Sequence, residues 1–137
     1  MGTMSNRADI HAVLAKTAVS HNITAATFEM LGGLHDITFT AYDFENQERL
    51  EPIVLKRPLE IVSGHGTISL LDGQPHVHMH LSVSFRDDAY PHGIGVVGGH
   101  VAEATAFAVE YTVTAYDGEP VHRALHEKTG LMLWGID

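Results

Sequence analysis

Residues Pro75 to Phe85 read PHVHMHLSVSF, and the alternation in this stretch decides how the rest of the chain is read. Val77, Met79, Leu81, Val83 and Phe85 take one set of alternate positions; His76, His78, His80, Ser82 and Ser84 take the other. Successive side chains of a strand point to opposite faces, so the apolar set is the core face and the histidines share the polar one. A period of two over so long a run predicts a half-buried antiparallel strand. Same-face neighbours lie about 6.5–7 Å apart. Two imidazoles at that spacing can converge on one ion whose bonds to nitrogen are about 2.0–2.1 Å long. Three in a row span about twice that distance, so a metal site takes two of them and a further ligand from elsewhere. The competing reading is a polar face whose histidines bond to their neighbours, and the sequence alone holds the two level.

Outward from this strand, Asp72-Gly73 predicts a tight turn and Gly66 to Leu71 a preceding strand. From Asp9 to about His21 the pattern is helical, with Ile10, Val13, Leu14, Thr17 and Ala18 on one stripe and Asp9 as N-cap. Ile23 to Leu31 reads as a strand ended by Gly32-Gly33, and His35 to Phe44 as another, with Ile37, Phe39 and Ala41 on one side. Pro58 divides two weaker strands, Pro52 to Lys56 and Leu59 to Ser63. Ala104 to Tyr116 alternates with Phe107, Val109, Tyr111 and Val113 on a shared face. Asp117-Gly118 is a turn, and Leu131 to Ile136 reads as a closing strand. These elements predict one compact α+β domain over residues 9–137, a mainly antiparallel sheet packed with a helix, after a tail at 1–8.

The composition narrows the function classes. At 137 residues the chain suits one domain with a real core. It has no cysteine, which excludes disulfides and thiolate ligands. No run approaches the roughly 20 apolar residues that cross a bilayer, and the N-terminus lacks a signal-like apolar region. A cytoplasmic protein with no membrane role is the expectation. Eight Lys plus Arg stand against 17 Asp plus Glu, a formal net charge of −9. Phosphate backbones need clustered cations, and only Lys56-Arg57 form a pair, so nucleic acid is disfavoured as a partner. The 11 histidines are the anomaly.

Other motifs weigh less. Gly93-Ile94-Gly95-Val96-Val97-Gly98 matches G-x-G-x-x-G, but DDAYPH precedes it and strand-like sequence follows, so a turn and a close backbone approach are expected instead of a dinucleotide loop. Glu110, mid-strand, is a candidate acid/base group if a metal lies near; a solvated strand glutamate is the default. Arg123 is a candidate clamp for an anion or carboxylate, with a structural ion pair as its default.

Several separate stretches share one resemblance. HVHMHLSVS, then GVVGGHV, then VHRALHEKTGLML, with GGLHDITFTAYD and PLEIVSGHGTIS upstream, together resemble the PPC domain (plants and prokaryotes conserved), of the prokaryotic stand-alone type. The likeness runs from about Asp9 to the C-terminus. It implies a compact α+β fold assembled as a homotrimer, similar in fold to acetolactate decarboxylase. It also implies a divalent metal, zinc by preference, held by His78, His80 and His100, with His76 left spare. The family's DNA-binding label comes from AT-hook segments that this chain lacks. Two departures stand out: the segment from Phe85 to Gly95 is longer than usual, which would cover or reshape the metal site, and the family's first strand is shortened or absent before Asp9.

Three functions follow in order: a trimeric metal-binding domain with a regulatory or interaction role; a small metal enzyme of lyase or hydrolase type, helped by Glu110 or Arg123; and DNA binding, which would need Lys56, Arg57 and Arg86 assembled into a basic patch. Substrate and biological process are not legible.

Overall fold

The computed structural model describes residues 1–136. The chain forms β1 (Gly2–Met4), α1 (Ile10–Ser20), β2 (Ala26–Thr40), β3 (Tyr42–Asp43), β4 (Glu48–Arg49), β5 (Ile53–Leu71), β6 (Gln74–Arg86), β7 (Ile94–Ala115), β8 (Arg123–His126) and β9 (Leu131–Trp134). The main sheet runs β1-β7-β2-β5-β6, every pair antiparallel, and β6 also pairs with β7. The expected antiparallel sheet packed with a helix is present, and that last pairing closes it into a small β-barrel. Closure removes the exposed edges of β6 and β7 along their shared length.

The core follows the alternation. Met79, Leu81, Val83 and Phe85 are buried on one face of β6, as the opening stretch requires. Phe28, Met30, Leu34, Ile37, Phe39, Leu59, Ile68, Val101 and Val109 join them, with Ile10, Leu14 and Ala18 from the predicted stripe of α1. The Asp9 carboxylate accepts from the Ala12 amide at 3.0 Å, which caps the helix as expected. Asp72 and Gly73 both take positive φ, 52° and 76°, in the two-residue hairpin that sets the β5–β6 register.

Several strand boundaries are corrected. Gly32-Gly33 does not end a strand: β2 runs through both, with a register shift between Met30 and Gly32. Gly32 has φ +125°, and a Cβ there would strike the Ala108 carbonyl oxygen, so its glycine serves the irregularity and not a turn. Pro58 lies inside β5, at the register shift where Leu34–Leu59 gives way to Asp36–Lys56, and before the first residue that pairs with β6. Its missing N–H therefore breaks no ladder. β7 begins at Ile94 and carries the glycine-rich run as strand; a Cβ on Gly98 would lie 2.8 Å from the Leu81 carbonyl oxygen. The shift opposite Gly33 and Leu34 pushes Phe107 out of phase, so it is exposed while Val109 is buried.

The termini differ as well. Gly2–Met4, read as tail, pair with Tyr111 to Val109, and Met4 enters the core. A first strand therefore does precede the helix. The expected last strand is present as Leu131–Trp134, but it pairs with Arg123–His126 in a separate two-stranded sheet and does not join the barrel. That hairpin meets the barrel where the Leu70 amide donates to the Val121 carbonyl oxygen.

Candidate metal centre

The hairpin register builds the site. Cross-strand partners in an antiparallel pair share a face. Counting back from Asp72-Gly73, Ser69 pairs with His76, Thr67 with His78 and His65 with His80. On its other side His80 pairs with His100 of β7, and His100 with Thr40 of β2. One polar row thus crosses four strands as His65, His80, His100 and Thr40, with His78 beside it. The same barrel closure that completes the core brings Gly-Gly-His to the histidine strand.

His78, His80 and His100 each offer a ring nitrogen, and these atoms all lie within 4.8 Å of one another. The Nε2 atoms of His78 and His80 are 3.3 Å apart. Two ligands on a tetrahedral ion with nitrogen bonds of about 2.0–2.1 Å stand about 3.3 Å apart, so this pair is already spaced as such an ion needs. The donor set fits a divalent ion of zinc type: three neutral nitrogens, no sulfur, and fewer ligands than a closed structural site. His78 and His100 are half-buried and His80 is exposed, so the cluster opens to solvent.

Electrostatics keep the rings neutral. Burial, then the charge of His100, Arg123 and the other histidines, pulls the His78 pKa down to about 4. Burial, then the charges of His80 and Arg49, do the same for His100, to about 4. His76 and His80 are also lowered, chiefly by burial. These folded values lie below the ordinary 6.5, so as pH falls the unfolded chain takes up protons first. The metal-free protein therefore keeps this contribution above about pH 6.5 and loses it between about 6.5 and 4. In chelator, its melting temperature should fall over that window, and fall less in the His78→Gln, His100→Gln double variant. Equal slopes for the two proteins would remove the histidines as the cause.

Arg123 comes to the site and Glu110 does not. The Arg123 Nε donates to Ser69 Oγ at 2.9 Å and Nη1 to the Met132 carbonyl oxygen at 2.9 Å, while Nη2 stands 3.5 Å from His78 Nδ1. Burial lowers its pKa. Glu110 lies far along β7, opposite Thr3 and Leu31, exposed beside a groove of about 750 Å³ that Glu29, Ser63 and Tyr111 also line. His76 flanks the cluster but is not among the three convergent rings.

Sequence reasoning missed three neighbours. Ser69, almost fully buried, anchors Arg123; His65 stands next to His80; and His11 of α1 is close enough for its charge to act on His76 and His100. Ser69 and His65 were recoverable by counting outward from the two-residue turn; His11 carried no signal in the sequence. The segment after Phe85, expected to cover or reshape the site, does not cover it. It is a turn at the opposite end of the β6–β7 pairing, where Arg86 meets Ile94, held by an Arg57–Asp87 ion pair of 3.0 Å.

Fold and cluster together define a small closed β-barrel bearing a three-histidine centre. Residues 1–117 match the Plants and Prokaryotes Conserved (PCC) domain, and the chain belongs to that family. The family match takes in β1 and ends before β8. A metal-containing protein from Archaeoglobus fulgidus is 31% identical, with a TM-score of 0.87 over 97% of this chain and 89% of that one. A plant- and prokaryote-conserved (PPC) protein from Pyrococcus horikoshii is 27% identical, with a TM-score of 0.84 over 98% and 89%. A candidate DNA-binding protein from Ralstonia eutropha is 23% identical, with a TM-score of 0.83 over 98% and 89%, a likeness of fold alone. Those three lend no support to the acetolactate decarboxylase comparison. No curated protein sequence matches the chain. Among the described residues no helix is long and apolar enough to cross a membrane.

Proposed function

We propose that this protein binds one divalent ion per protomer, zinc by the chemistry of its donors, through His78, His80 and His100. The observation that carries this is the convergence of three ring nitrogens within 4.8 Å, with one pair at the separation a tetrahedral ion requires. The metal-containing relative from Archaeoglobus fulgidus supports it. A bound ion would supply Lewis acidity at a coordination position left open to solvent. The chain's own contribution is to hold three neutral imidazoles on rigid strands and to keep Arg123 beside them.

The role we favour is that of a homotrimeric regulatory or interaction module. Trimer formation rests on the family resemblance and on exposed apolar side chains of the barrel strands, Leu31, Val62, Val96 and Phe107, which association would cover. The second reading, a small metal enzyme, is favoured by the exposure of His80 and by Arg123. DNA binding ranks third. The net charge is −9, and Asp87 engages Arg57, one of the three cations a basic patch would need.

Elemental analysis of protein loaded with zinc and then freed of excess tests the metal, and light scattering on the same sample tests assembly. About one zinc per protomer in particles of three protomers is expected. Protein that retains no zinc at neutral pH would overturn the metal reading, and a monomer would overturn the trimer.

A further inference from the structure

Among the described residues Arg123 has no acidic partner. Among the described residues the one ion pair is Arg57–Asp87, and the Arg123 guanidinium is half-buried with neutral neighbours only: a serine hydroxyl, a main-chain carbonyl and an imidazole. Taking a charge even partly out of water is costly unless a counter-charge or hydrogen bonds offset it, so a half-buried guanidinium without an acid is suited to an anionic guest. Two of its three nitrogens are spent on anchoring. The third, Nη2, lies 3.5 Å from His78 Nδ1, too long for a strong hydrogen bond. It is thus fixed beside the cluster with donor capacity left over.

A second polar atom in this region lacks a partner. Thr40 Oγ1 is buried with no hydrogen-bond partner among the described residues, and Thr40 is the cross-strand neighbour of His100. Arg123 therefore borders the cluster on the His78 side and Thr40 borders it on the His100 side. A buried hydroxyl without a partner calls for a polar guest or water.

We infer that Arg123, together with the three-histidine centre, forms a composite site for a small monocarboxylate. One carboxylate oxygen would take the open coordination position, the other would accept from Arg123 Nη2, and the Thr40 hydroxyl would serve a further polar group of the ligand. Charge selects the class. Among the described residues Arg123 is the cation whose side chain comes within 3.5 Å of a cluster nitrogen, Arg49 acts on His100 through its charge without a hydrogen bond, and a chain of net charge −9 opposes phosphate esters and polyanions. A single negative charge on two oxygens matches one guanidinium and one ion. The inference rests on the metal reading above.

The test uses cobalt-loaded protein titrated with acetate and with lactate, read by visible absorption of the cobalt, with metal content measured separately. Carboxylate addition should shift the cobalt spectrum. Arg123→Gln should weaken carboxylate binding tenfold or more while still holding about one cobalt per protomer. Arg123→Lys, which keeps the charge and loses the fork, should fall between the two and stands in if the glutamine variant fails to fold. Unchanged carboxylate affinity in these variants would overturn the carboxylate site and leave the metal reading intact. Wild-type protein that takes up no cobalt would overturn both.

Discussion

His100→Ala is expected to lower zinc affinity on the order of a hundredfold or more, and His78→Ala to do the same, while His76→Ala leaves it within a few-fold. Loss of an outer-shell partner alone costs about 10–100-fold, and loss of a direct ligand should cost no less. The discrimination among adjacent histidines comes from the barrel. His78 and His80 converge with His100 because the β6–β7 pairing places His80 directly opposite His100. His76 sits opposite Ser69, further from that pairing. Calorimetric titration reads the affinities, and thermal melts provide a second readout. Zinc at about 100 times its Kd stabilises a protein by about 2.7 kcal/mol, and this gain should disappear in the His78 and His100 variants. Equal losses from all three substitutions would show that the ligand assignment is wrong.

Gly66→Ala should harm both stability and metal binding, and Phe28→Ala stability alone. Gly66 lies opposite Met79 in the β5–β6 ladder, and a Cβ there would run into the His78 carbonyl oxygen and the ring of Phe28. The ring can move; the His78 backbone cannot without shifting the histidine strand. Overpacking of this kind costs about 1–3 kcal/mol, with zinc affinity falling alongside. Phe28 is 2% exposed at the centre of the core, and its truncation should cost about 3–5 kcal/mol. It leaves the polar face untouched, so zinc should still bind at one per protomer. Chemical denaturation with zinc titration separates the two effects. A Gly66→Ala protein that binds zinc like the parent would contradict the coupling of backbone fit to site geometry.

Periodicity was the legible part of this chain. The alternation from Val77 to Phe85, the stripe of α1 and the turn at Asp72-Gly73 all describe local geometry, and local geometry is written in neighbouring residues. Where an irregularity interrupts a strand, the same signal misleads. Gly32-Gly33 and Pro58 read as ends because glycine and proline usually mark them, yet both sit at register shifts that let β2 and β5 continue. Phe107 was assigned to the face of Val109 because alternation counts residues and cannot see the shift between them. The closure of β6 on β7 is a long-range pairing with no local mark, and without it His100 has no visible link to His78 and His80. Its place among the ligands came from the family resemblance. The position of Arg123 was likewise illegible, because it depends on a hairpin folding back to Ser69.

Zinc K-edge X-ray absorption on protein loaded with one zinc per protomer tests the central claim most directly. The three-histidine centre predicts three imidazole nitrogens at about 2.0–2.1 Å, falling to two in His100→Ala. A shell made of oxygens alone, or the same spectrum from wild type and His100→Ala, would contradict it.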